Sequence, residues 1–408
     1  MTDPVTDEIA ETDPSAYPVA RLRPNKGKAY LGGHPWVYKD ELVLDRRTGK
    51  IEPGMPVVLE DAKRVPVGVV ALNSGSGIAA RDLDRDPRAT VDAAWIAARL
   101  GRALALRERV YPKPFYRLVH AEADGLPGLV IDRMDGLLVI QPNTAWAEAM
   151  LPHILATLDD LLSPETVVVN RDSRGRTQEG MEGGREVVRG ALDGPVAVET
   201  ATGRLHADIQ EGQKTGVYFD QFPNHAFVAS LAKDKRVLDV FAHTGGFALA
   251  ALGAGAASAL AVDGSARALE LAEKAARDSG VADRFATRQG DAFDTMRALT
   301  AEGEKFDIVV CDPPAFAPRK ETLEAGLRAY ERVTRLALPL VAEGGILTVC
   351  SCSHVVTPDM LMGTAMRMLH RAHRRGRLIH SGRAGADHPV HPALAESGYL
   401  KVLVFALD

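Results

Sequence analysis

The feature that most constrains the fold is an alternation of short apolar runs with helical segments from about residue 202 to the C-terminus. The runs predict β-strands because they are rich in Val, Ile, Leu and Phe and are bounded by Gly, Asp and Pro. Helical patterns separate them, several with a Ser or Thr cap. This alternation predicts an α/β fold with a doubly wound, mostly parallel sheet. The predicted strands are 236–241, 258–262, 285–289, 306–311, 345–350 and 400–405.

The rest of the chain divides into three parts by composition. Residues 1–18 are acidic and poor in apolar side chains, so we expect a disordered tail. Residues 19–88 contain short β-type runs between Gly and Pro signals, which predicts a small β-barrel or sandwich. Residues 89–200 mix helices with strands and predict a small central α+β domain. The doubly wound domain then covers residues 201–408.

Cysteine content and charge narrow the class of protein. The three cysteines all lie in the C-terminal third, which disfavours a disulfide framework and favours the reducing cytoplasm. No apolar run approaches the roughly 20 residues of a membrane span, and no secretory signal is visible. The net charge is −5, but residues 20–50 carry eight Lys/Arg against three acids, and residues 364–383 carry six Arg and no acids. Either segment suits a polyanion such as RNA, or a solvated surface.

Acids follow three successive strands of the predicted sheet. In this architecture ligands bind beyond the carboxyl ends of the strands. The first strand ends in a Gly-Gly turn within residues 241–247, which departs from the dinucleotide fingerprint. Asp263, Asp291 and Asp312 follow the next three strands and suit a nucleoside that carries a sulfonium. The set predicts S-adenosylmethionine (SAM) as the ligand.

A thiol follows the fifth strand, in the run Cys350-Ser-Cys352. Strand periodicity puts both thiols on one face, with Cys352 nearer the ligand edge. A buried cysteine is usually an inert small hydrophobe, and this is our interpretation of Cys350 and Cys311. Carbon 5 of cytosine is a poor nucleophile until a thiolate adds to C6. Cys352 is therefore predicted to be the nucleophile of a cytosine-C5 methyl transfer.

Taken in order, the motifs resemble the RlmI-type 23S rRNA (cytosine-C5-)-methyltransferases, and the resemblance covers nearly everything after residue 19. The central segment, the Ser-Cys-Ser run and the Asp-His-Pro end are more specific than the Gly-Gly turn and Asp-Pro-Pro. The motifs are Leu31-Gly-Gly-His-Pro-Trp-Val-Tyr38, His120-Ala-Glu-Ala-Asp-Gly-Leu-Pro-Gly128, Glu211-Gly-Gln-Lys-Thr-Gly-Val-Tyr-Phe-Asp-Gln221, Thr244-Gly-Gly-Phe247, Asp312-Pro-Pro314, Ser351-Cys-Ser353 and Asp387-His-Pro-Val-His-Pro392.

The resemblance implies a class I SAM-dependent methyltransferase domain behind an RNA-binding PUA domain. It implies that Cys352 attacks C6, that Asp312 holds the N3/N4 edge of the cytosine, and that 23S rRNA is the partner in the cytoplasm, with no membrane involved. The oligomeric state stays open, with a homodimer among the alternatives. The implied SAM-binding residues are Tyr218, Asp220, Gln221, Phe241, Thr244, Gly245, Gly246, Asp263, Asp291 and Asp312.

Two other functions fit the same residues, and one departure from the family bears on the substrate. Asp-Pro-Pro with a nearby aromatic, here Phe316, also suits methylation of an exocyclic base nitrogen, which needs no thiol. A protein that binds RNA or SAM with little catalysis is the other alternative. The family usually has arginine at the positions of Phe222 and His225. If those arginines contact RNA, the target or the rate of this protein differs.

Overall fold

The computed structural model describes residues 17–210 and 216–408, so most of the predicted acidic tail lies outside the described residues. The chain divides into two compact units. One contains the residues up to Pro112 together with Arg117–Ala191, and the other contains Lys113–Tyr116 together with Leu192–Asp408. The finer division at residues 88 and 200 stays a proposal. Within the described ranges, no helix is both long and apolar enough to span a membrane.

The first sheet of the first unit comes from the N-terminal residues. Its elements are β1 (Val19–Arg21), α1 (Lys28–Leu31), β2 (Trp36–Tyr38), β3 (Met55–Glu60), β4 (Pro66–Leu72) and β5 (Ile78–Asp84). The strand order is β1-β3-β4-β5-β2, and only the β1–β3 pair is parallel. A bridge between Leu22 and Leu42 joins the segments that follow the two outer strands, which closes the barrel around a buried aliphatic core.

The second sheet of this unit has the strand order β10-β9-β8-β7-β6, with helices between its strands. This agrees with a small α+β domain. Its elements are α2 (Ala93–Val110), β6 (Phe115–His120), β7 (Leu129–Met134), β8 (Leu137–Pro142), α3 (Ala145–Ala149), α4 (Leu151–Leu162), β9 (Thr166–Asn170), α5 (Arg174–Gln178) and β10 (Arg185–Arg189).

The second unit contains a hairpin and a seven-stranded sheet. Its strands are β11 (Val196–Glu199), β12 (Arg204–Ala207), β13 (Arg236–Val240), β14 (Ser258–Asp263), β15 (Phe285–Gln289), β16 (Phe306–Cys311), β17 (Val341–Ser351), β18 (Gly376–Gly382) and β19 (Lys401–Leu407). Its helices are α6 (Phe222–Ser230), α7 (Gly246–Gly253), α8 (Ala266–Asp278), α9 (Ala292–Ala301), α10 (Leu323–Ala337) and α11 (Pro358–Arg371).

The seven-stranded sheet confirms the predicted α/β class. Its order is β15-β14-β13-β16-β17-β19-β18. The first five strands are parallel, and β19 is antiparallel to both of its neighbours, β17 and β18. One apolar core packs α6, α7 and α8 on one face, and another packs α9, α10 and α11 on the other. Because the five parallel strands share a direction, their carboxyl ends meet at one edge, which brings the predicted acids together.

Some strand predictions differ from the structure. The first strand ends at Val240 rather than 241, because Phe241 has a φ of 64° and leaves the extended region. β17 begins at Val341 rather than 345 and passes Gly344 at a φ of 69°, a conformation that interrupts the expected apolar run. β18 was not predicted at all. It is an outer strand whose first four residues are exposed, so the apolar alternation that marks a strand is missing.

Candidate active site

A cavity of about 730 Å³ opens at the carboxyl edge of the parallel strands. Ten of the eleven predicted site residues line it: Tyr218, Asp220, Gln221, Phe241, Thr244, Gly246, Asp263, Asp291, Asp312 and Cys352. Gly245 lies behind the wall as the N-cap of α7, with a φ of 78°. A Cβ added at Gly245 would lie 3.1 Å from the Cβ of Ala272, so this glycine serves the turn and its packing.

The turn after β13 has a strained backbone that an acid from the next strand holds in place. Phe241 and His243 both adopt left-handed conformations, at φ 64° and 49°. Such a conformation costs about 1 kcal/mol at a residue other than glycine. The Asp263 carboxylate accepts from the backbone N–H groups of His243 and Ser265, each at 2.8 Å. Asp263 thus supports the cavity wall whatever else it binds, and Asp291 similarly caps α9.

A hydrogen-bonded chain orients the partly buried carboxyl of Asp312. The Gln221 side-chain Nε2 donates to Asp312 Oδ2 at 2.9 Å. The orientation of that amide follows from Asn224, whose Nδ2 donates to Gln221 Oε1 at 2.8 Å. Burial raises the pKa of Asp312 to about 7; the charge of Asp220 adds to the rise and the Gln221 hydrogen bond opposes it. Asp312 is therefore close to its midpoint of protonation at neutral pH, as suits a group that hydrogen-bonds a base.

Two serines and a tyrosine fix the loop that carries Cys352. Ser351 Oγ donates to the Tyr330 hydroxyl at 2.8 Å, and that hydroxyl lies 2.9 Å from Ser353 Oγ. Tyr330 and both serines are buried, so their hydroxyls anchor the loop on the inner side. Between them Cys352 is partly exposed in the cavity wall, with its Sγ 4.0 Å from the Pro313 carbonyl oxygen. The thiol consequently faces the Asp-Pro-Pro loop.

The other two thiols are in a different environment. Cys311 and Cys350 are fully buried, and burial raises the pKa of each thiol far above its ordinary value. A thiol held protonated is a poor nucleophile. Cys352 is the one of the three cysteines that reaches the cavity.

The segment before α6 closes one side of the cavity. The Tyr399 hydroxyl donates to Asp220 Oδ2 at 2.6 Å. The Tyr218 ring meets the His243 ring edge-on, with 5.1 Å between centroids. Burial, with the charges of Asp220 and Asp312, raises the pKa of Tyr218 to about 12, so its hydroxyl stays a neutral donor. The cavity wall thus combines a neutral phenol with several carboxylates.

Similarity to known proteins identifies the family. A family described as S-adenosylmethionine-dependent methyltransferase matches residues 188–405, and a PUA-like domain matches residues 20–85. The chain is 35% identical over 386 residues to ribosomal RNA large subunit methyltransferase I of Cronobacter sakazakii, covering 93% of this chain and 97% of that protein. The chain belongs to the ribosomal RNA large subunit methyltransferase I family. A ribosomal RNA large subunit methyltransferase of Deinococcus radiodurans is 34% identical over 410 residues, or 97% of this chain and 99% of that protein.

Solved structures agree with this family at the level of the fold. A SAM-dependent methyltransferase from Streptococcus mutans superposes with a TM-score of 0.79 at 15% identity. A methyltransferase in complex with SAH superposes with a TM-score of 0.80 at 16% identity. Each match covers 95% of this chain and 100% of the other chain.

SAM is the cofactor of this family, and a buried acid that the sequence analysis missed fits its positive charge. Asp239 lies within β13, is 1% exposed, and lines the cavity. Its Oδ2 accepts from the Ala248 N–H at 3.0 Å, and its Oδ1 has no hydrogen-bond partner among the described residues. Burial raises the pKa of Asp239 to about 7. A cationic ligand would satisfy this carboxylate. The sequence feature that could have identified Asp239 is the presence of an acid inside the apolar run Val237-Leu-Asp-Val240.

The two positions where the chain departs from the family pack inside the fold. The Phe222 ring lies 5.2 Å from the Phe219 ring and joins an apolar core. His225 is buried against the turn: a Cβ added at Gly246 would lie 2.4 Å from His225 Cε1. Burial lowers the pKa of His225 to about 3, so the ring is neutral. Neither side chain supplies the positive charge that an arginine would carry.

Proposed function

We propose that the protein transfers a methyl group from SAM to C5 of a cytosine in 23S rRNA, in the cytoplasm. The observation that supports this most directly is the partly exposed thiol of Cys352 in the cavity wall, facing the Asp-Pro-Pro loop that carries Asp312. The names of the relatives support large-subunit rRNA as the substrate, and the position of the thiol supports C5 of a cytosine as the atom that is methylated.

The residues have separate tasks in this mechanism. The Cys352 thiolate adds to C6 of the cytosine, which makes C5 nucleophilic. SAM supplies the methyl group as an electrophilic sulfonium. Loss of the C5 proton then expels the thiolate and restores the aromatic ring. Asp312, oriented by Gln221, hydrogen-bonds the N3/N4 edge, and Asp239 would compensate the positive charge of the cofactor. A base must leave its stack to enter such a cavity.

The alternative of methylation at nitrogen needs an aromatic ring free to stack on the base. The Phe316 ring lies 5.0 Å from the Tyr330 ring and 6.4 Å from the Phe241 ring. It packs against the apolar core between the sheet and α10. Because Phe316 already has these partners, its position supports the thiol-dependent reaction over transfer to an exocyclic amine.

Nucleoside analysis tests the proposal. The full-length protein is incubated with SAM and with 23S rRNA from cells that lack this enzyme. The RNA is then digested, and its nucleosides are separated and weighed. We expect 5-methylcytidine to accumulate up to one per molecule of RNA. A methyl group on the exocyclic nitrogen would contradict the proposal.

Asp239→Asn is expected to raise the Kd for SAM about 100-fold, because a buried charge pair loses one partner. Isothermal titration with SAM measures the change. The Kd for rRNA serves as the control and is expected to stay within about threefold, since Asp239 is 1% exposed and is shielded from the surface.

The same variant has an expected pH signature without SAM. The folded pKa of Asp239 is raised from 3.8 to about 7, so in that window the folded state binds the proton more tightly than the unfolded state. Its contribution to stability is therefore present below about pH 4 and is lost as the pH rises to about 7. Asparagine has no such loss. The Tm of Asp239→Asn minus that of wild type should therefore increase between about pH 5 and pH 8. A Tm difference that does not change with pH would contradict the raised pKa of Asp239.

Arg383→Glu is expected to weaken rRNA binding about tenfold at low salt and to reduce the salt dependence by about one ion. Arg383 is exposed and follows β18 at the cavity edge, because Gly382 pairs with Val402 next to the end of β17. Arg371→Glu is the matched control. Arg371 is exposed at the end of α11, near the opposite edge of the sheet. Filter binding at several salt concentrations compares the two. Equal losses would show that general charge, rather than a path to the cavity, sets the affinity.

A further inference from the structure

Lys401 is a buried lysine at the same sheet edge as Cys352. It begins β19 and pairs with Ser351, the last residue of β17. Its side chain is held inside the fold, with 6% of the residue exposed. A buried ammonium is costly unless it has acceptors and a compensating charge. Its surroundings therefore indicate what it does.

Two short hydrogen bonds bring the ammonium to the loop of the thiol. Lys401 Nζ donates to the carbonyl oxygens of Ser353 and Tyr399, both at 2.6 Å. Ser353 directly follows Cys352, and Tyr399 lines the cavity. An ammonium carries three donors, so these two carbonyls fix its position and leave a third N–H. The carbonyls satisfy its hydrogen bonds but supply no net negative charge.

Cys352, the residue before Ser353, is a neighbouring group that can supply a negative charge. Burial lowers the pKa of Lys401 to about 8, and the interaction that opposes burial is the charge of the Cys352 thiolate. The phenols of Tyr218 and Tyr330 also interact with the charge of Cys352, and the carboxyls of Asp220 and Asp312 line the same cavity. Phenols are neutral and a carboxylate disfavours a second anion, so a thiolate here needs a cation.

We propose that Lys401 is a positioning residue that stabilises the thiolate of Cys352. Its ammonium compensates the negative charge formed when the thiol proton leaves to solvent, and its bond to Ser353 keeps the loop in place. The inference deepens the proposed function, in which Cys352 is the nucleophile, and rests on it for its importance to catalysis. The thiolate itself is measured without RNA or SAM.

The test is the pH dependence of Cys352 alkylation by iodoacetamide in the full-length protein, with mass spectrometry to assign the label to this cysteine. We expect Lys401→Met to raise the midpoint by about one to two pH units, the size of effect that a nearby opposite charge has on an acid. Lys401→Arg should restore most of the shift, because it keeps the charge. An unchanged midpoint in Lys401→Met would overturn the proposal.

Tyr330→Phe is the matched control for loop geometry. It removes the hydroxyl that contacts Ser351 and Ser353 but changes no charge. We expect it to change the alkylation rate at every pH and to leave the midpoint within about half a unit. Equal midpoint shifts in Tyr330→Phe and Lys401→Met would mean that Lys401 acts only through structure, contrary to the proposal.

Two further outcomes keep this inference separable from the proposed function. If Lys401→Met does not fold, the wild-type midpoint still decides: we expect it below about 8.5, the ordinary value for cysteine, and a higher midpoint would overturn the proposal. If Lys401 controls the midpoint of Cys352 alkylation but Cys352 forms no covalent adduct with RNA that carries 5-fluorocytidine, the proposed function fails. The stabilisation of the thiolate by Lys401 then still stands.

Discussion

Cys352→Ala is expected to lower the rate of methyl transfer by a factor of about 10⁴ or more, because no other group can make C5 nucleophilic. The Kd for SAM should stay within about threefold, since a single partly exposed side chain is lost from the cavity wall. Single-turnover transfer of a radiolabelled methyl group to 23S rRNA measures the rate. Isothermal titration measures the affinity and confirms that the variant is folded.

The matched control is Cys350→Ala, which removes the thiol two residues earlier on the same strand. Cys350 is fully buried, with a protonated thiol that interacts with Asp312 and Gln221, so we expect its loss to lower the rate by about tenfold, far less than the loss of Cys352. The reverse pattern, with activity kept in Cys352→Ala and lost in Cys350→Ala, would contradict the proposal and indicate that Cys350 is the nucleophile.

Asp312→Asn is expected to lower the rate constant of methyl transfer about 10³-fold. The carboxyl of Asp312 has a pKa raised to about 7, so it is protonated below that pH and can donate to N3 of the cytosine. An amide cannot transfer a proton to N3. We therefore expect the wild-type rate to rise with pH as the Cys352 thiolate forms and to fall above about pH 7 as Asp312 ionises.

The shape of the pH profile separates this role from a structural one. Asp312→Asn should lose the falling limb while keeping the rising limb. Gln221→Ala is the milder companion variant, because it removes the amide that orients Asp312 but leaves the carboxyl, and we expect a loss of about tenfold. Retention of the falling limb in Asp312→Asn would assign that limb to another group.

The sequence predicted those residues of the candidate site that lie at the ends of parallel strands. Asp263, Asp291 and Asp312 follow strands whose apolar runs are unambiguous, so their convergence at one edge follows from the sheet. Asp239 was missed because it lies inside a strand, where a single acid does not disturb the apolar run. Lys401 was missed because its contact with Ser353 spans 48 residues, and no local pattern encodes such a contact.

Two other differences between prediction and structure also arise from contacts between residues that are distant in the sequence. The outer strand β18 is largely exposed and lacks an apolar alternation, so its strand character comes from pairing with β19 rather than from its own sequence. His225 occupies a position where the resemblance to the family leads us to expect arginine. It is buried because its ring packs on Gly246 at the start of α7. Tertiary contacts, which a single sequence does not reveal, decide both cases.

Covalent trapping tests the central claim most directly. Fluorine at C5 cannot leave as a proton does, so 23S rRNA that carries 5-fluorocytidine should stop the reaction after methyl transfer, with the protein still bound through sulfur. We expect wild type incubated with SAM to form an adduct that survives denaturing electrophoresis, and a peptide carrying the nucleotide on Cys352. Cys352→Ala should form none. An adduct that persists in Cys352→Ala, or methylation of this RNA without any adduct in wild type, would contradict the thiolate mechanism.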